Sequence, residues 1–116
     1  MINRAAILLK YKAPAVQWIN DADPCHEDPG ISLESVNEEN TIYLVSEHEA
    51  ESPEALKKWI ALNYQALFER ELDDWYTDEG LWPNVLDLKL FYEWFEVECH
   101  TEIIDTVELP IEDDEI

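Results

Sequence analysis

Residues 52–76, SPEALKKWIALNYQALFERELDDWY, decide the fold, because their spacing fits one long amphipathic helix and nothing else. Leu56, Ile60, Tyr64, Leu67, Phe68, Leu72 and Trp75 recur at steps of three, four and one, which places them on one face as a stripe wide enough to bury. Lys57, Lys58, Glu69, Arg70 and Asp73 fall off that stripe. Ser52 is positioned to accept a hydrogen bond from a free first-turn amide, and Pro53 suits the first helical position. Glu54 sits where the helix dipole favours an anion.

Upstream of this helix the chain reads as two strands with helical turns between them. RAAILLKYK, from Arg4 to Lys12, is nearly continuous in apolar residues, the pattern of a central strand covered on both faces. Pro14 ends it and opens a short helix with Val16, Trp18 and Ile19 turned inward. The prolines, aspartates and glycine of residues 21–30 make a loop, and Ser32 caps a short turn that ends near Asn40. Thr41 to Ser46, rich in β-branched and aromatic residues, is the second strand. Downstream, Gly80 and Pro83 take the chain out of the long helix. Leu88, Phe91, Tyr92 and Phe95 then space a short amphipathic helix from about Val85. Phe95, Val97, Cys99, Thr101 and Ile103 alternate with Glu96, Glu98, His100 and Glu102, which gives a half-buried third strand continuing to Val107. Its polar face suits a sheet edge.

The predicted order is therefore β-α-(α)-β-α-α-β, an α/β or α+β fold with a sheet of about three strands packed with helices. Residues 1–107 form one globular domain and residues 108–116 an acidic C-terminal tail. A chain of 116 residues supports one core without disulfides or metals.

The charge narrows the classes of function. The chain carries 28 Asp and Glu against 7 Lys and Arg, a net charge of −21. Residues 1–20 hold +3 and residues 21–116 hold −24, so the basic start is expected to be neutralised within the fold. Such a field repels phosphates and anionic lipid headgroups, which disfavours direct binding to nucleic acid or a membrane surface and favours a basic protein partner. The same charge also serves solubility alone. Two cysteines, Cys25 and Cys99, make no CxxC pair, and Ala5–Leu9 is too short for a signal-peptide core, so the expectation is a cytoplasmic protein with free thiols. Two glycines rule out phosphate-binding loops that need several at fixed spacing.

Three constellations are candidates for function. Cys25-His26-Glu27-Asp28, with His48, Cys99 and His100, contains zinc-ligand types but no pair at zinc-site spacing, so neither a metal nor a cofactor is expected. Glu96, Glu98, His100 and Glu102 share one face of the last strand, where a histidine among carboxylates suits acid-base work or a divalent cation. An exposed, edge-protecting face is the favoured alternative. Seven aromatic residues within positions 75–95 exceed what a small core readily takes, which nominates Trp82 and Trp94 as surface anchors for a partner.

The phrases RAAILLKYKAPAVQWINDADP, LWPN and IIDTV resemble those of a family of small conserved bacterial proteins without an assigned activity. That resemblance implies no catalytic or binding residue. The leading expectation is a non-enzymatic acidic domain that binds a basic protein as an adaptor, inhibitor or regulator. A nucleic-acid mimic is the first alternative, and a small metal-assisted or acid-base enzyme built on Glu96, Glu98, His100 and Glu102 is the second.

Overall fold

The structure is a computed structural model and describes residues 1–22 and 31–113. It has a three-stranded antiparallel sheet with helices, an α+β fold in a single small domain. In chain order the elements are β1 (Arg4–Tyr11), α1 (Ala13–Ala22), α2 (Leu33–Val36), β2 (Ile42–Ser46), α3 (Pro53–Trp75), α4 (Leu88–Trp94) and β3 (Phe95–His100). Single 3-10 turns at Glu47–Ala50 and Glu79–Leu81 flank α3. The strand order is β2-β1-β3, so the first strand made is the central one and the glutamate-bearing third strand lies at an edge.

Register fixes the two faces of the sheet. Ile7 lies opposite Tyr43 and Cys99, Leu9 opposite Val97, and Tyr11 opposite Phe95, all on the inner face. There they join Ala15, Val16 and Ile19 of α1, Ile60, Leu67, Phe68 and Leu72 of α3, and Phe91 and Trp94 of α4 in one core cluster. Phe68 stands at its centre, with edge-on ring contacts to Phe91, Trp94 and Phe95 at centroid distances of 5.8, 5.4 and 5.5 Å. The outer face carries Leu8 between Ile42 and Glu98, Ala6 between Leu44 and His100, and Lys10 opposite Glu96. Ile42 and Leu44 are 58% and 50% exposed, so β1 is covered on one face only, which corrects the two-sided burial expected from RAAILLKYK. The apolar run arises because the centre of a narrow sheet is shielded by its neighbours: Ala6, 7% exposed, sits between Leu44 and His100 of the flanking strands.

Local signals set the helix ends. Ser52 Oγ accepts from the Ala55 amide at 3.1 Å and Pro53 is the first residue of α3. Ser52→Ala is expected to lower stability by about 1 kcal/mol, measured as a shift in denaturant midpoint at unchanged slope. Asp87 Oδ1 caps α4 through the Leu90 amide at 2.8 Å, which starts that helix at Leu88 rather than Val85. Its last residue, Trp94, passes directly into β3.

Two asparagines bind backbone groups that lie outside the reach of the β1–β2 ladder. Asn37 Oδ1 accepts from the Tyr11 amide at 2.9 Å while its Nδ2 donates to the Tyr11 carbonyl at 3.1 Å. Asn20 holds both backbone groups of Ile31 in the same way, at 2.8 and 3.0 Å. The third strand stops at His100 and does not continue to Val107. β1 begins only at Arg4, and one bond from the Ile2 amide to the Ile103 carbonyl, 2.8 Å, is all that follows. Without a ladder to join, Ile104 and Val107 stand exposed.

Candidate functional site

One acid breaks the apolar face of α3. Glu71 lies three residues after Phe68 and four before Trp75, in phase with the stripe, and is only 4% exposed. The Tyr11 hydroxyl donates to its Oε1 at 3.0 Å and the Tyr43 hydroxyl donates to its Oε2. Trp75 Nε1 in turn donates to the Tyr11 hydroxyl oxygen at 3.0 Å. β1, β2 and α3 thus each supply one or two members of a continuous chain of hydrogen bonds. Burial raises the Glu71 pKa, partly offset by the two tyrosine hydroxyls, which favour the carboxylate. Burial and the adjacent Glu71 carboxylate push both tyrosines up from their usual value.

This network forms one wall of a cleft of about 580 Å³. Tyr11 and Trp75 supply its aromatic surface, and Glu38, Glu39, Glu71 and Asp74 supply four carboxylates. Among the described residues no lysine or arginine lines it; Arg70 meets Asp74 at 3.7 Å on the exposed side of α3. The rings of Tyr11 and Trp75 meet edge-on at a centroid distance of 6.3 Å. An arrangement of carboxylates around aromatic rings is suited to holding an organic cation, by charge and by the negative ring faces together.

The residues singled out from the sequence do not converge. Trp94 is buried at 7% exposure against Phe68 and Trp18, which corrects its reading as a surface anchor. Trp82 is half-buried and its Nε1 donates to the Tyr76 carbonyl at 2.8 Å, so its polar edge is used within the fold. The aromatic excess is absorbed because Trp18 bridges outward from the core, meeting Trp94 at a tilt and Tyr76 edge-on.

Glu96, Glu98 and His100 do share the outer face of β3, whereas Glu102 lies past its end. Glu98 Oε1 lies 2.7 Å from His100 Nε2, and its Oε2 lies 3.3 Å from Lys10 Nζ. The His100 contact, followed by Lys10, holds the Glu98 carboxyl below its usual range. Part of the basic N-terminal stretch is thereby neutralised: Lys10 by Glu98, while Lys12 Nζ donates to the Tyr92 carbonyl at 2.8 Å. The pair sits on open surface, and Glu102 borders only a shallow depression with Cys99, His100 and Thr101. Among the described residues no group of three or more His, Cys, Asp or Glu is placed to hold a metal ion. Cys25, His26, Glu27 and Asp28 lie outside the described residues, and no described helix is long and apolar enough to cross a membrane.

The signal for Glu71 was present in the sequence as an acid in phase with an apolar stripe. Tyr11 and Tyr43 gave no such signal, since tyrosine is ordinary in strands. Compared with protein-family models, curated proteins and solved structures, the chain matches none of them.

Proposed function

We propose that this chain is a non-enzymatic acidic domain that binds a basic protein segment, with a lysine or arginine side chain entering the cleft beside Glu71. The observation that supports it is the composition of that cleft: four carboxylates and two aromatic rings, with no lysine or arginine among the described residues of its lining. The long-range field of a chain at −21 adds steering, which raises the rate of encounter with a basic surface and weakens as salt is added. The outer sheet face, where Leu8 stands between Ile42 and Glu98 and Leu44 is exposed beside Ala6, offers apolar area near the charge for the remainder of such a segment. A cytoplasmic setting belongs to the same reading, supported by two cysteines in 116 residues and no CxxC pair.

Titration with an arginine- and lysine-rich peptide, followed by calorimetry, tests it. Trp75→Ala is expected to weaken binding by about 2- to 30-fold, the span of an exposed to a desolvated cation–ring contact. Glu38→Gln with Glu39→Gln should slow association and flatten its salt dependence, leaving dissociation nearly unchanged. Peptide affinity indifferent to all three changes would remove the cleft from the account and leave the charge as a solubility device.

A further inference from the structure

The two edges of the sheet are built differently. β3 presents Glu96, Glu98 and His100 along its outer face, charges that discourage pairing with another strand. β2, at the opposite edge, reads IYLVS and holds no charge, proline or glycine. Its one strand neighbour is β1, and among the described residues no backbone group outside β1 bonds to the backbone of Ile42–Val45. Alternate residues of β2 therefore turn an amide and a carbonyl away from β1, unpaired. An edge in this state accepts an added strand.

The charges at its two ends select what that strand is. Glu38 and Glu39 precede β2, and Glu47, Glu49 and Glu51 follow it, all exposed. A second copy of β2 laid along the first brings carboxylates onto carboxylates at both ends, whether it runs parallel or antiparallel. Two chains of charge −21 add to that repulsion. A segment apolar in the middle and basic at both ends meets the opposite sign in either direction.

The faces of β2 divide the side chains of such a segment. Ile42 and Leu44 stand exposed on the outer face, whereas Tyr43 turns inward and its hydroxyl donates to Glu71 in the cleft wall. Thr41, two residues before Tyr43, lines that cleft with Glu38 and Glu39. One alternating set of side chains on an added strand thus lies beside Ile42 and Leu44, and the other turns towards the cleft at the Thr41 end. Resting on the cleft assignment above, we infer that the basic segment binds as a fourth strand on the open edge of β2. Its apolar residues, at steps of two, pack beside Ile42 and Leu44, and a lysine or arginine of the other set enters the cleft.

The probe is a synthetic peptide with two lysines at each end and alternating valine and threonine between them, studied with the full chain by calorimetry and amide hydrogen exchange. Binding should slow exchange at alternate amides of Ile42–Val45, those that face away from β1. Replacing the central amides of the peptide by esters removes its donors while keeping its charge and side chains, and should weaken binding roughly tenfold or more. Leu44→Lys should weaken it several-fold, whereas Leu62→Lys, the same charge change at an exposed position of α3, should alter it about twofold or less. Both leucines are exposed, so the fold should be preserved, which circular dichroism checks. Binding that depends on Trp75 but leaves the Ile42–Val45 amides unprotected, or tolerates the esters, overturns strand addition and leaves the cleft assignment standing. A chain that binds no such peptide overturns both. Protection that appears without peptide and grows with protein concentration gives the edge to a second copy and overturns the proposal.

Discussion

Phe68→Ala is expected to lower the free energy of unfolding by about 3–5 kcal/mol, the range for truncating a buried phenylalanine. Phe68 is fully buried, and its ring is edge-on to Phe91, Trp94 and Phe95, which come from α4 and the first residue of β3. Removing it leaves a void that three rigid rings fill poorly, because each is held by the turn from α4 into β3. Loss on that scale is a large part of the stability of a domain of this size, typically about 5–15 kcal/mol. The measurement is a urea midpoint with the slope held constant. A midpoint near that of the wild type would mean that the ring cluster is not the centre of the core.

Tyr11→Phe is the second large change, expected to cost about 1–3 kcal/mol although it removes one oxygen atom and no apolar contact. The hydroxyl has two roles, donating to Glu71 Oε1 and accepting from Trp75 Nε1. Its loss leaves the buried carboxylate with only Tyr43 as a hydroxyl donor and the indole without its acceptor. The accompanying pH dependence has a definite sign. Burial raises the folded pKa of Glu71 above its reference value of 4.5, so the folded state binds the proton more tightly than the unfolded chain. That contribution to stability is fully present below about 4.5 and is lost as pH rises through the folded pKa. Glu71→Gln removes this titration, so it should gain stability relative to the wild type as pH rises across the same window. A constant difference between the two proteins through that window would show that Glu71 is solvated.

The long helix, its Ser52 cap and the edge position of the third strand were legible because each rests on a local rule: periodicity, capping chemistry and one charged face. What was not legible depends on partners distant in sequence. RAAILLKY reads as buried on both faces because strand neighbours cover Ala6 as effectively as a helix would. The β-branched residues Ile103, Ile104, Thr106 and Val107 suit an extension of the third strand, although β1 offers no ladder beyond Arg4. Trp94 resembled a surplus aromatic until Trp18, from α1, was brought against it at 5.5 Å. Glu71 is not singled out by the sequence reading although it falls in phase with the stripe, and its meaning requires two tyrosines, sixty and twenty-eight residues away, to meet it.

The sheet order β2-β1-β3 has a consequence in time. β1 leaves the ribosome first, but its second neighbour begins only at Phe95 and reaches Ala6 through His100. At about 5–20 residues per second, that partner is synthesised roughly 5–20 s after the strand it must join. For that interval an apolar strand waits with one edge unpaired, a template for any other extended chain. Pairing of β1 with β3 then joins residues as distant in sequence as Ala6 and His100, and pairing of that kind is intrinsically slow. The newborn chain is therefore at its most aggregation-prone just before Phe95–His100 emerges, and a nascent chain stalled before Phe95 should depend on holdase chaperones where one that has paired β3 does not.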